Sequence, residues 1–139
     1  MAQTVADVMT ADPATVECGE SAAEAARLMA RRDIGDVVVL DNGSVTGIVT
    51  DRDIAVRLVA QEKDPRTPVA DIVSDRDVVT VAPDTALDQA ARLMRQYSVR
   101  RLPVVQQGRA VGVVSLGDLA IERDEQSALA DISAAEGNT

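Results

Sequence analysis

The pentapeptide Ala-Ala-Arg-Leu-Met stands twice in this chain, at residues 25–29 and 90–94. Holding that offset of 65 without gaps, residues 15–55 align on 80–120 with 13 identities in 41 positions. An Ala/Val-rich composition gives about four by chance. The identities include Thr15/Thr80, Val16/Val81, Val39/Val104 and Asp53/Asp118, together with the glycine pairs Gly43/Gly108 and Gly47/Gly112. Glycines recurring in register mark backbone requirements, not shared composition. The chain is an internal duplication, and one half should predict the other.

Each copy carries the same succession of patterns. A short extended piece (14–17 and 78–82) precedes a helix, 21–32 and 85–97, with Ala and Leu at helical spacing. Ser21 and Asp84 are the expected N-caps. Two apolar strands follow, 37–40 and 102–105, then 46–50 and 110–115. Asp41-Asn42-Gly43 and Gln106-Gln107-Gly108 separate them as hairpin turns. A second helix starts after Thr50 or Ser115 and runs to about residue 60 or 122. The expected fold is therefore mixed α/β (α+β), two repeats of β-α-β-β-α. Neither half is large enough to be comfortable alone, so the two should pack sheet to sheet as one pseudo-twofold module. The expected division is 8–60 for the first repeat, 61–68 for a polar linker, 69–122 for the second and 123–139 for an acidic, partly frayed tail. From Glu122 onward five acids against Arg123 leave a net −4 of the chain's −9.

Composition narrows the chemistry. Of 139 residues 46% are hydrophobic, yet there is one Tyr and no Phe, Trp or His, so the core must be aliphatic. The commonest general base and metal ligand is missing, and the single Cys18 cannot build a zinc cluster. Cys18 reads as a small, half-buried thiol in a reducing compartment. A net charge of −9 without stacking rings argues against nucleic acid. The N-terminus has no basic n-region or apolar h-region, and no apolar run approaches membrane-spanning length, so a cytoplasmic location without membrane contact is expected. Met9, Met29 and Met94 read as core filler. Asp51, Asp53, Asp75 and Asp77 form D-x-D pairs that do not continue into a calcium loop, and read as turn and cap residues. Serine at 115 lacks a histidine to activate it, and no phosphate-cradling glycine loop is present, so an enzyme is not expected.

The most specific local signal is Gly47-Ile-Val-Thr50-Asp-Arg-Asp53, echoed by Gly112-Val-Val-Ser115-Leu-Gly-Asp118. In each, an apolar strand ends in a hydroxyl, and a carboxylate follows three residues later at a helix start. That arrangement is compatible with a phosphate at the helix N-terminus and a diol on the acid. It is equally compatible with a capping box that needs no ligand. Arg100 and Arg101 at a strand entrance suit an anion, or surface pairing with the chain's many carboxylates. The first copy has Gly35 and Asp36 there, and Val38 in place of Pro103, so the two potential sites are not chemically equivalent.

Taken together, Thr-Val at 15–16 and 80–81, A-A-R-L-M, the strand Leu102-Pro103-Val104-Val105 and the duplicated glycine–hydroxyl–acid run resemble the CBS domain, named after cystathionine beta-synthase, whose tandem pair is the Bateman module. The likeness covers roughly residues 8–122, and the run from Asp33 to Ala55 further resembles small stand-alone bacterial members of the hypoxic-response type. The resemblance implies a non-catalytic regulatory, energy-sensing module that binds AMP, ADP, ATP or S-adenosylmethionine in clefts between the repeats. By that likeness Asp53 and Asp118 match the ribose acid, and Thr50 and Ser115 the hydroxyl on phosphate or ribose. Thr15, Val16, Val37 and Val38, with Thr80, Val81, Leu102 and Pro103, match the positions that hold adenine. Arg100 and Arg101 match positions for phosphate. The second copy is the expected stronger site, because Asp36 would repel a phosphate in the first unless Arg52 reaches in. The resemblance also implies a disc-like homodimer; an unknown effector protein is the expected partner, no cofactor is required, and without His no metal is expected. The alternative is a structural dimerisation module with vestigial sites.

Overall fold

The computed structural model describes residues 4–73 and 78–123. The expectations for the tail beyond 123 and for Asp75 and Asp77 lie outside the described residues. The chain divides at Pro13/Ala14 and at Val78/Val79 into two compact units. The middle stretch forms one; the N-terminal segment joins the later stretch to form the other. In chain order the elements are β1 (Thr10–Ala11), β2 (Thr15–Glu17), α1 (Ala22–Arg32), β3 (Asp36–Asp41), β4 (Ser44–Thr50) and α2 (Asp51–Asp53). Then come α3 (Leu87–Tyr97), β5 (Arg101–Gln106), β6 (Arg109–Ser115) and α4 (Leu116–Arg123). The mixed α+β class with two repeats and two sheets is the architecture observed.

In the first copy β2 lies parallel to β3, and β3 pairs antiparallel with β4. Helix α1 forms because Ser21 caps it, its hydroxyl accepting from the Glu24 N–H at 3.1 Å. Ala22, Ala25 and Met29 are its buried residues, one face at helical spacing. Helix α2 makes a single α turn and continues as a π-helix over Ile54–Val59, which the periodicity did not foretell. Asn42 and Gly43 both have positive φ, 51° and 87°, as do Gln107 and Gly108 at 52° and 79°. Both hairpins therefore close through type I′ geometry, which glycine adopts without Cβ strain.

The second copy departs in two places. Its helix α3 starts at Leu87 with Ala86 at the cap position and no side-chain cap, so Asp84 is not the N-cap. Instead Thr85 accepts from the Ala82 N–H at 2.9 Å and closes the turn just before the helix. The first strand is also reduced, to an isolated parallel bridge between Val81 and Val104. Prolines explain this. In the first copy the N–H groups of Val38 and Cys18 bond to the carbonyls of Ala14 and Leu40, at 2.9 and 2.7 Å. The equivalent residues 65 positions on are Pro103 and Pro83, which have no N–H to give. Only the two central bonds survive, Val81 N–H to Pro103 at 3.0 Å and Val105 N–H to Val81 at 2.8 Å.

Each core is completed by a segment remote in sequence from its repeat. The tripeptide Val-Ala-Asp forms a 3-10 turn twice, at Val5–Asp7 and Val69–Asp71. Val5 is buried in the second copy's core with Leu102, Val104 and Val114. Val69 and Ile72 are buried in the first copy's core with Val37, Val39 and Val49. Between the copies Asp64 accepts from the backbone and guanidinium of Arg66, at 2.8 and 3.0 Å. Those bonds hold the Asp64 carboxyl below its ordinary range.

Strand β1 joins the second copy's sheet on β6, Thr10 opposite Val113 and Ala11 opposite Gly112. A Cβ on Gly112 would lie 2.8 Å from the Thr10 carbonyl and 2.6 Å from the Met9 sulfur. Gly112→Ala is therefore expected to cost about 1–3 kcal/mol of stability by overpacking. A denaturant melt checks this, with wild-type stability as the contrary result.

Candidate functional site

Both hydroxyl–acid pairs are reciprocal capping boxes. The Thr50 N–H donates to Asp53 Oδ2 at 2.9 Å, and the Asp53 N–H donates to Thr50 Oγ1 at 3.1 Å. In the second copy the Ser115 N–H donates to Asp118 Oδ2 at 2.8 Å, and the Asp118 N–H to Ser115 Oγ at 3.1 Å. The pairs thus have a structural task whether or not a ligand is bound. The same bonds fix each carboxylate at a strand–helix junction, one oxygen committed to the cap.

Around the second pair, register brings the expected residues together. Arg101 opens β5 directly opposite Ser115, the last residue of β6, with Leu102 opposite Val114 and Pro103 opposite Val113. The Leu116 N–H, one residue past Ser115, donates to the Arg100 carbonyl at 2.8 Å. Both arginines are therefore held beside the Ser115–Asp118 junction by backbone, with Arg100 exposed and Arg101 half-buried. Leu102 and Pro103 are buried. On the far side of β5, Val81 is buried against Val104 and Thr80 is exposed.

The first copy repeats this frame with other chemistry. Asp36 opens β3 opposite Thr50, and the Asp51 N–H donates to the Gly35 carbonyl at 3.0 Å. Gly35 and Asp36 thus occupy the places of Arg100 and Arg101, in register. Val37 and Val38 are buried opposite Val49 and Ile48, while Thr15 is exposed and Val16 buried on the neighbouring β2. Arg52, named above as the exception that could offset Asp36, is exposed in the first turn of α2. The cation at the carboxylate is one that the sequence reading missed. Arg57 Nε lies 3.6 Å from Asp53 Oδ1, and the Asp53 side chain is only 7% exposed. The spacing i,i+4 from an acid at a helix start was the available signal. Position 122, its counterpart in the second copy, is glutamate.

The model of the CBS domain matches residues 5–60 and 69–124, two copies spanning most of the chain. The chain belongs to the CBS domain family. Among curated relatives, CBS domain-containing protein YhcV of Bacillus subtilis is 42% identical over 133 residues, 93% of this chain and 94% of that protein. Hypoxic response protein 1 of Mycobacterium tuberculosis is 31% identical over 118 residues, 84% of this chain and 82% of that one. The likeness to the hypoxic-response type is thereby supported. Among solved structures, the CBS domain pair of MJ0100 was determined with 5′-methylthioadenosine and S-adenosyl-L-methionine. It is 29% identical with a TM-score of 0.78, covering 89% of this chain and 98% of that one. This CBS pair has no helix among its described residues that is long and apolar enough to cross a membrane.

Proposed function

We propose that this CBS pair is a non-catalytic regulatory module that binds an adenosine-containing ligand, AMP, ADP, ATP or S-adenosylmethionine. Its stronger site is the second copy. The observation that carries the reading is the junction where Arg100 and Arg101 are held beside the Ser115–Asp118 pair. A cationic pair next to a fixed carboxylate suits a ligand with an anionic end and a diol. The bound adenosine compounds of the MJ0100 pair support the same class. Asp118 takes the ribose, Ser115 the phosphate or ribose, the arginines the phosphate, and Thr80, Val81, Leu102 and Pro103 the adenine. The first copy, with Thr15, Val16, Val37, Val38, Thr50 and Asp53, is the weaker site. Ligand then changes affinity for an effector protein by favouring one arrangement of a homodimer over another.

Titration calorimetry with AMP, ATP and S-adenosylmethionine tests this, alongside melting curves. A ligand at a hundred times its Kd adds about 2.7 kcal/mol to stability and raises the melting temperature. No heat and an unchanged melt at millimolar ligand overturn the reading.

One observation favours the second reading, a structural dimerisation module with vestigial sites. Val56 and Val59 on the π-helix are 43% and 65% exposed, and Tyr97 and Leu116 are 49% and 52% exposed. Large apolar groups left in water are the material of an interface. A silent titration combined with a dimer in light scattering would select it.

A further inference from the structure

We infer that Arg57 is a built-in counter-ion that masks Asp53 and lowers the first copy's affinity for ligand; the inference rests on the adenosine reading above. Asp53 has two acceptor oxygens. Oδ2 takes the Thr50 N–H, and Oδ1 faces Arg57 Nε at 3.6 Å. A ligand diol that uses this carboxylate therefore meets it already engaged by a cap and a cation. At 3.6 Å the contact is an ion pair, and the guanidinium competes with the neutral hydroxyls of a diol through its charge. Asp53 is buried, with its side chain 7% exposed, but its partner is half-exposed, so the pair is partly screened and the mask is worth about 1 kcal/mol or less.

The mask is removable in principle, because the Arg57 side chain is itself 47% exposed and can turn outward. Sixty-five residues on, Glu122 stands where Arg57 would be, so the two copies carry opposite charges at this one position. The other charges about Asp53 do not substitute for it. Asp51 and Arg52 are exposed in the same turn, and Asp36 stands across from Thr50 as a like charge.

The test uses the full chain with AMP as the probe and calorimetry as the readout. Asp118→Asn silences the second copy while keeping an amide oxygen for the cap. Against that background, adding Arg57→Gln is expected to tighten AMP binding at the first copy about twofold to fivefold. Equal or weaker binding in the double variant, or none in either variant, while wild type still takes up AMP, overturns the mask and leaves the adenosine reading standing. Weaker binding would mark Arg57 as a phosphate contact. No uptake by wild type or any variant overturns the adenosine reading and this inference with it. Thermal melts of each variant show that a loss of binding is not a loss of fold.

Discussion

Ile72→Ala is expected to lower the free energy of unfolding by about 2–5 kcal/mol. Ile72 is fully buried, and it follows the 3-10 turn that carries Val69 into the first copy's core. Truncating it removes apolar contact and leaves a cavity walled by residues that are pinned in place. The Val69 N–H bonds to the Glu20 carbonyl at 2.8 Å and the Ala70 N–H to that of Cys18 at 3.0 Å. Collapse around the missing atoms is therefore limited, which places the cost toward the upper part of the range. Urea melts give the total. Amide hydrogen exchange gives the location, and it carries the sharper expectation. Protection should fall more at β3 and β4 than at β5 and β6, although Ile72 lies on the far side of the linker from the first repeat. Greater loss at β5 and β6 would assign Ile72 to the second copy's core instead. Val5→Ala is the mirror experiment, with the larger loss expected at β5 and β6.

The duplication was legible because its strongest marks are backbone requirements. Gly43 and Gly108 adopt positive φ in both turns, and Gly112 sits where a Cβ would strike Thr10. Chance similarity between two aliphatic stretches does not reproduce such positions. The strands and first helices followed from the same pattern, and the register Asp36–Thr50 and Arg101–Ser115 makes the residue-by-residue comparison of the two copies a structural one. The Val-Ala-Asp turn escaped because its spacing is 64, not 65, and an ungapped alignment loses it. The weak first strand of the second copy needed Pro83 and Pro103 to be read together, as two missing donors on neighbouring strands. Pro103 alone signals a weakened ladder without saying which bonds go. Asp84 failed as a cap because local propensity cannot tell a helix N-cap from the turn one step ahead of it. Arg57 was hidden for a different reason. An i,i+4 pairing is one of several a helical acid can make, and the sequence does not say which of Arg52 and Arg57 comes to Asp53.

Asp118→Ala is expected to weaken adenosine-ligand binding at the second copy by about ten- to a hundredfold. On the proposed reading the carboxylate has two separable tasks. As a cap, Asp118 Oδ2 accepts the Ser115 N–H at 2.8 Å, a contact at a helix start that contributes about 1 kcal/mol or less to stability. As a ligand group, its charge strengthens bonds from a diol, and that contribution appears only when ligand is present. Alanine removes both. Asparagine keeps an acceptor for the Ser115 N–H and discards the charge, so it separates them. Asp118→Asn should melt close to wild type yet bind almost as poorly as Asp118→Ala. Binding in both variants equal to wild type would show that Asp118 is a cap and nothing more, and would move the site away from the Ser115 junction. If asparagine restores stability and binding together, the affinity lost in Asp118→Ala came from a loosened helix start and not from a missing charge. The arginines supply the control in the opposite direction. Arg100→Ala removes no cap, since the Arg100 contact to Leu116 is made by its carbonyl. Its melt should be unchanged while phosphate-bearing ligands bind more weakly, with the shortfall shrinking as salt is raised.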